Sequence, residues 1–127
     1  MTAHRQTKQL KAVRAAFTCA GRPLSIDEVH ASAIRDVPSL GLRTVYRAVR
    51  RLQELDEVVS VPVPGGSDRY ELACIAAHHH HHFHCTECDR YFDVNGCPGG
   101  LKKLVPEGFQ LEHHELTLSG RCNACAQ

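Results

Sequence analysis

The 127-residue sequence predicts an α+β protein in two parts, a winged-helix half over residues 1–73 and a small metal-binding half over residues 74–127. Three observations carry this. Apolar residues recur at helical spacing in three successive segments and then give way to two β-rich runs, the helix, helix, helix, hairpin order of a winged helix. Charge is unevenly divided: residues 1–53 hold ten Lys/Arg against Asp27, Glu28 and Asp36, giving +7, while residues 54–127 hold five against eleven acids, giving −6. Two Cys-x-x-Cys pairs, Cys85/Cys88 and Cys122/Cys125, both fall in the acidic half.

In the first helix, expected over residues 6–20, Leu10, Val13, Phe17 and Ala20 form the apolar stripe. "AGRP" stops it, and Lys8, Lys11 and Arg14 lie off the stripe. Cys19, near its end, reads as a small buried hydrophobe. Ser25 and Glu28 fit a capping box, and Leu24 with Val29 a hydrophobic staple, so a second helix starts at Ser25. His30 within it reads as a surface or packing residue. After the turn "VPSLG", the third helix places Leu42, Val45, Val49, Leu52 and Leu55 on one stripe and Arg43, Tyr46, Arg47 and Arg50 opposite. "VVSVPVPGGSDRYEL" then reads as a hairpin turning around Pro64, Gly65 and Gly66.

Most charge runs on helices are solvated surface. Here the run lies on a third helix after a short turn, in the half carrying +7, which suits a polyanion. Guanidinium groups bridge guanine O6 and N7 or grip phosphate, and a tyrosine ring contacts a thymine methyl. Arg43, Thr44, Tyr46, Arg47 and Arg50 are therefore the candidate DNA-binding residues, with double-stranded DNA as partner.

The seven cysteines, Cys19, Cys74, Cys85, Cys88, Cys97, Cys122 and Cys125, are odd in number. In a reducing compartment the paired ones point to metal thiolates rather than disulfides. Thirty-three residues separate the two pairs, more than in a zinc ribbon, so they converge if a small sheet lies between. Four thiolates suit a closed structural Zn(II) site. The stretch "AAHHHHHFHCTEC", residues 76–88, is internal, unlike a purification tag. It runs into strand-like residues, which argues against a disordered metal-buffering tract. On a strand His79 and His81 point one way and His80, His82 and His84 the other, two ligand sets from one element.

"GLRTVYRAVRRL", "HHHHHFHCTEC", "GFQLEHHELTLSGRC" and the closing Cys-x-x-Cys resemble the ferric uptake regulator family of metal-responsive repressors, in register over nearly the whole chain. The resemblance implies a homodimer on palindromic operator DNA, with an N-terminal winged helix and a C-terminal α/β dimerisation domain. It implies a structural zinc on Cys85, Cys88, Cys122 and Cys125. A regulatory metal between the domains would take His80 and His82, with Cys74 eleven residues before Cys85 and Asp93 five after Cys88. A third site would take His79, His81 and His114. The acid usual at that site is Gly100 here, so the site is incomplete unless Cys97 or water substitutes. Pro23 stands where iron-sensing members have a further histidine ligand, with His30 the nearest alternative. Cys97 precedes Pro98 and two glycines, a turn into a short helix "LKKLV".

Cys74 with His80 and His82 is a nitrogen and sulfur set that favours Zn(II) over Fe(II) or Mn(II). A zinc-responsive repressor of metal uptake genes is the first expectation, and an iron-responsive or peroxide-sensing one the alternative. A zinc or nickel storage module would not need the Arg43 to Arg50 face. Enzyme signatures fail: His-x-Glu with Pro-Cys-x-x-Cys is absent, and in the nearest approach to His-Glu-x-x-His, at His114-Glu115, Leu118 takes the second histidine's place. No apolar run approaches the roughly 20 residues that span a bilayer, and no charged leader precedes one, so a cytoplasmic protein is expected.

Overall fold

The computed structural model describes residues 2–63, 66–76, 80–97 and 99–127, the side chains of residues 2–7 excepted. The chain divides into two compact units, Met1–His78 and His79–Gln127.

In the first unit, α1 (Thr2–Ala20), α2 (Ile26–Ala33) and α3 (Leu42–Glu54) precede a hairpin of β1 (Val58–Val61) and β2 (Arg69–Leu72). Gly21 ends α1 in the left-handed conformation, at φ 60°, and its N–H donates to the Phe17 carbonyl, a helix stop that glycine adopts without steric cost. The capping box forms as the sequence implies. Ser25 Oγ accepts from the Glu28 N–H at 3.2 Å, and Glu28 Oε1 accepts from the Ser25 N–H at 3.1 Å. Glu28 also pairs with Arg22 at 2.7 Å and with Arg69 at 3.5 Å, so the cap is tied to the hairpin. His30 Nε2 lies 2.9 Å from the Leu40 carbonyl, fixing the turn between α2 and α3.

Val13, Phe17, Leu24, Val29, Val45, Val49, Leu52 and Val58 are at the centre of the core. Two ends of the expected α3 stripe depart from it. Leu42 and Leu55 are 42% and 41% exposed, because they sit at or just beyond the helix termini while Ala48 joins the buried face. Cys19 and Ala20 are exposed as well, so Cys19 is not the buried hydrophobe expected of it. Leu24 exchanges two backbone hydrogen bonds with Tyr70, both 2.8 Å, adding an antiparallel bridge beside β2. The expected turn residues Pro64 and Gly65 lie outside the described residues. A short α4 (Ala73–Ala76) follows β2. The Ala73 N–H donates to the Glu57 carbonyl at 2.9 Å, so α4, a helix not anticipated from the sequence and whose residues from 74 were expected in the second half, packs with the hairpin.

In the second unit β3 (His81–Cys85) is the centre of a three-stranded sheet, with β4 (Tyr91–Val94) antiparallel on one side and β5 (Thr117–Gly120) parallel on the other. A 3-10 turn, Leu101–Leu104, stands where the short helix was expected. Among the described residues of this unit Cys85, Tyr91 and His81 alone are buried. So small an apolar core needs another source of stability.

Candidate metal centres and nucleic-acid face

Parallel pairing of β3 with β5 sets Cys85 directly beside Gly120. Both strands therefore end at the same edge of the sheet, and the two Cys-x-x-Cys turns that follow them meet despite the long gap in sequence. One ligand atom from each of Cys85, Cys88, Cys122 and Cys125 lies within 4.8 Å of the others. Cys88 and Cys122 sulfurs are 3.9 Å apart, close to the spacing of about 3.8 Å that a tetrahedron with Zn–S of about 2.3 Å requires. Backbone N–H groups of Cys88 and Cys122 donate to Cys85 Sγ at 3.4 and 3.3 Å. Those dipoles, that of Cys88 foremost, hold the Cys85 thiol down to about 6. The Cys125 N–H, first among its neighbours, lowers Cys122. Cys125, hydrogen-bonded to Cys122 and desolvated, is pushed up to about 12. Sulfur donors already arranged around one centre, part thiolate and part thiol, fit a closed zinc site.

The period of two along β3 sorts the histidines. His80 and His82 Nε2 lie 3.2 and 3.4 Å from the same Asp93 oxygen, with their rings edge to face at 4.9 Å. Asp93 is delivered by β4, whose register sets it opposite His82. Two imidazoles and a carboxylate make a set that accepts Zn(II), Fe(II) or Mn(II). Cys74, the sulfur expected with them, belongs to the first unit, on α4, and is exposed. His81 points to the other face, where its Nε2 is 3.4 Å from Cys97 Sγ, and His114 Nε2 is 3.0 Å from the same sulfur. His79 lies outside the described residues. His84 joins neither set: Nε2 is 2.7 Å from Asp89 and the ring stacks on Tyr91. Asp89, in the left-handed conformation at φ 61°, ends the Cys-x-x-Cys turn and carries its carboxylate back toward β3.

In the first unit Arg43, Tyr46, Arg47 and Arg50 all stand exposed on α3, and Thr44 is half-buried. Among the described residues none of these three arginines has an ion-pair or hydrogen-bond partner, whereas Arg14 is held by Glu57 at 2.6 Å and Arg51 by Glu54 at 3.5 Å. The three guanidiniums border an open groove of about 500 Å³ that Tyr46, Gln53 and Tyr70 also line. Gln53 and Tyr70 were not singled out from sequence. Gln53 follows the Arg face by one helical turn from Arg50, but Tyr70 reaches the groove through the hairpin, which no local pattern reveals.

The model of the "Ferric uptake regulator family" matches residues 2–119. The chain belongs to this family. It is 31% identical over 105 residues to a ferric uptake regulation protein of Synechocystis, covering 80% of the chain and 64% of that protein. Against the Bacillus subtilis protein of the same name it is 30% identical over 106 residues, covering 80% and 71%. The chain thus spans about two thirds of the length of these relatives. Among solved structures it superposes on a zinc-bound manganese uptake regulator with TM-score 0.74, at 18% identity, covering 90% of the chain and 87% of that one. On the Helicobacter pylori ferric uptake regulator the TM-score is 0.64, at 23% identity, with 94% and 81% covered. On a zinc uptake regulator of Mycobacterium tuberculosis it is 0.53, at 25% identity, with 98% and 99% covered. The winged-helix and metal-bearing α+β fold of the family is therefore the fold of this chain. No helix among the described residues is long and apolar enough to cross a membrane.

Proposed function

We propose that the chain is a metal-responsive transcriptional repressor of metal uptake genes that binds palindromic operator DNA as a cytoplasmic homodimer, with Zn(II) as the metal it senses. The observation that carries the reading is the outer face of α3. Among the described residues Arg43, Arg47 and Arg50 stand there without acidic partners, around a groove that Tyr46 and Tyr70 line, in a chain of this family. Neutralising phosphates and reading guanine edges is the chemistry such a face supplies. Thr44, half-buried at the first turn of α3, adds a hydroxyl.

Cys85, Cys88, Cys122 and Cys125 would hold a structural zinc, which supplies the stability that the thin core of the second unit lacks. His80, His82 and Asp93 would hold the sensed ion, and Cys74 would add a sulfur to it, as the resemblance implies. Cys74 follows the hairpin directly, so an ion drawing it toward the His80 strand would restrain the link between the two units. Three exposed large apolar side chains in the second unit, Leu104, Phe109 and Leu118, are consistent with a surface covered by a second copy.

Iron is the second reading. The geometry that gathers His80, His82 and Asp93 is a nitrogen and oxygen set that a harder ion accepts, and the curated relatives at 30–31% identity are named for ferric uptake. Selection from a randomised pool of duplex DNA, run separately with Zn(II) and with anaerobic Fe(II), tests the reading. Zinc-loaded protein is expected to enrich two-fold symmetric sites with half-sites about one helical turn apart. Enrichment with Fe(II) alone would transfer the sensing role to iron. No enrichment with either ion would remove the repressor reading.

A further inference from the structure

His84 belongs to neither histidine set of β3, and Asp89 closes the first Cys-x-x-Cys turn in a backbone conformation that L side chains rarely adopt. Among the described residues only Asp56 and Asp89 are non-glycine residues with positive φ, and Asp89 stands at 61°. The chain leaves β3 at Cys85, turns over Thr86, Glu87 and Cys88, and enters β4 with the Asp89 N–H on the Cys85 carbonyl at 2.8 Å and the Cys85 N–H on the Arg90 carbonyl at 2.9 Å. Inside the turn the Cys88 N–H donates to Cys85 Sγ at 3.4 Å, and the Arg90 N–H, just past Asp89, bonds to Cys88. Successive N–H groups next to a left-handed residue form a concavity that binds an anion. Here the anion would be a thiolate.

Glycine takes the left-handed conformation without steric cost, and aspartate does not. Asp89 is held there through its side chain. Its Oδ1 lies 2.7 Å from His84 Nε2, and the His84 ring is itself fixed, stacked on Tyr91 with centroids 4.5 Å apart and 18° between planes. Tyr91 is buried and faces His84 across the β3–β4 pairing. A pair with an exposed carboxylate adds little through charge. Its effect is geometric, because strand and stack already immobilise the imidazole, and the carboxylate it anchors belongs to the residue whose backbone is left-handed. We infer that His84 is a positioning residue for the structural zinc, holding Asp89 in the conformation that sets backbone N–H groups on the Cys85 and Cys88 sulfurs. This rests on the reading of the four cysteines as a zinc site. Groups that orient metal ligands from outside the ligand set change metal affinity by roughly 10- to 100-fold when removed.

Transfer of zinc from the whole chain to a chromophoric pyridylazo chelator tests this, once loosely held metal has been dialysed away against EDTA and the zinc that remains is counted by elemental analysis. His84→Ala is expected to release its zinc about 10-fold faster than the unaltered chain. Asp89→Ala should do the same, since alanine keeps the left-handed backbone and loses the clasp. Asp89→Gly should release zinc as slowly as the unaltered chain, because glycine needs no clasp, and adding His84→Ala to Asp89→Gly should change nothing further. A histidine that merely packed on Tyr91 would matter equally in both backgrounds, so equal acceleration would overturn the inference. Release from His84→Ala at the unaltered rate would overturn it too. If His84→Ala retains no zinc, recovery of zinc in His84→Ala/Asp89→Gly supports the clasp and failure to recover it overturns the clasp. Zinc missing from the unaltered chain, or kept in full by Cys122→Ser, would overturn the four-cysteine reading and this inference with it. DNA binding is not read in this experiment, so its result is independent of whether the chain represses through zinc.

Discussion

Asp93 stands directly opposite His82 in the antiparallel β3–β4 pairing, and its Oδ1 lies 3.4 Å from His82 Nε2. This pairing is what turns a histidine-rich strand into a site. A slip of one residue would move Asp93 to the face of His81 and leave His80 and His82 without a carboxylate. The Cys85 to Asp89 turn, with the Asp89 N–H donating to the Cys85 carbonyl at 2.8 Å, fixes that register, so the turn that carries Cys85 and Cys88 also sets the geometry of His80, His82 and Asp93.

Loss of the staple is expected to be severe. Cys122→Ser should release zinc and unfold the second unit, because a structural zinc contributes on the order of 10 kcal/mol and the unit has few buried residues to replace it. Elemental analysis with circular dichroism checks this. A well-folded, zinc-free Cys122→Ser protein would refute it, and Cys97→Ser, by contrast, should keep both zinc and fold.

Proton release should report the state of the thiols. Cys85 lies at about 6, below the usual thiol range, so near neutral pH it has already lost its proton. Zinc uptake by the reduced, metal-free chain should then release fewer than four protons from the four-cysteine site. The stabilising effect of the Cys85 thiolate is complete above the unfolded value of about 8.5 and is lost as pH falls through about 6. Below that the proton count should rise and zinc affinity fall. Calorimetry in buffers of different ionisation enthalpy measures the count; four protons at neutral pH, unchanged in acid, would contradict the arrangement.

On the DNA face, Arg47→Ala and Tyr46→Ala should each weaken specific binding by roughly 1 to 3 kcal/mol and leave metal content unchanged. Arg51→Ala, which removes a guanidinium already engaged by Glu54, should have a smaller effect. Titration of the selected duplex by fluorescence anisotropy compares them. Equal losses for Arg47 and Arg51 would mean that charge alone, not the groove, binds DNA.

Stability of the first unit should depend more on Glu28 than on Ser25. Ser25→Ala removes one cap hydrogen bond, a loss of about 1 kcal/mol. Glu28→Ala removes the other half of the box and an ion-pair partner of both Arg22 and the largely buried Arg69, charge-assisted contacts stronger than a single neutral cap bond. Denaturant unfolding of the two variants ranks them, and an equal cost would show that the ion pairs add nothing.

What was legible in the sequence was local or periodic. The Ser25 and Glu28 box depends on residues three apart, and the separation of His80 and His82 from His81 follows from strand alternation. The two Cys-x-x-Cys turns declared a shared centre through spacing alone. What escaped depends on chain paths that periodicity does not encode. Leu42 and Leu55 fit the α3 stripe but fall at its ends, where the core no longer faces them. His84 keeps the parity of His80 and His82, yet the turn at Asp89 offers it a nearer carboxylate. Cys97 meets His81 and His114 across long stretches of sequence, and Tyr70 lines the α3 groove from a strand that the Leu24 bridge holds.

Separating the sensing ligands from the staple is the next expectation. His80→Ala and Asp93→Asn should each abolish the response of DNA binding to added metal while the four-cysteine zinc remains. Cys74→Asp should shift the response from Zn(II) toward Fe(II) and Mn(II), since it exchanges a soft ligand for a hard one. A Cys74→Ala protein that responds to zinc as the unaltered chain does would exclude that sulfur from the centre.

The most direct measurement is operator affinity at buffered free Zn(II), made on protein that keeps its four-cysteine zinc throughout. Loading the second ion should tighten binding of the selected duplex by about 5- to 150-fold, a coupling of roughly 1 to 3 kcal/mol, and the duplex should tighten zinc binding by the same factor. Operator affinity that stays constant across the whole range of free zinc would contradict a zinc-responsive repressor.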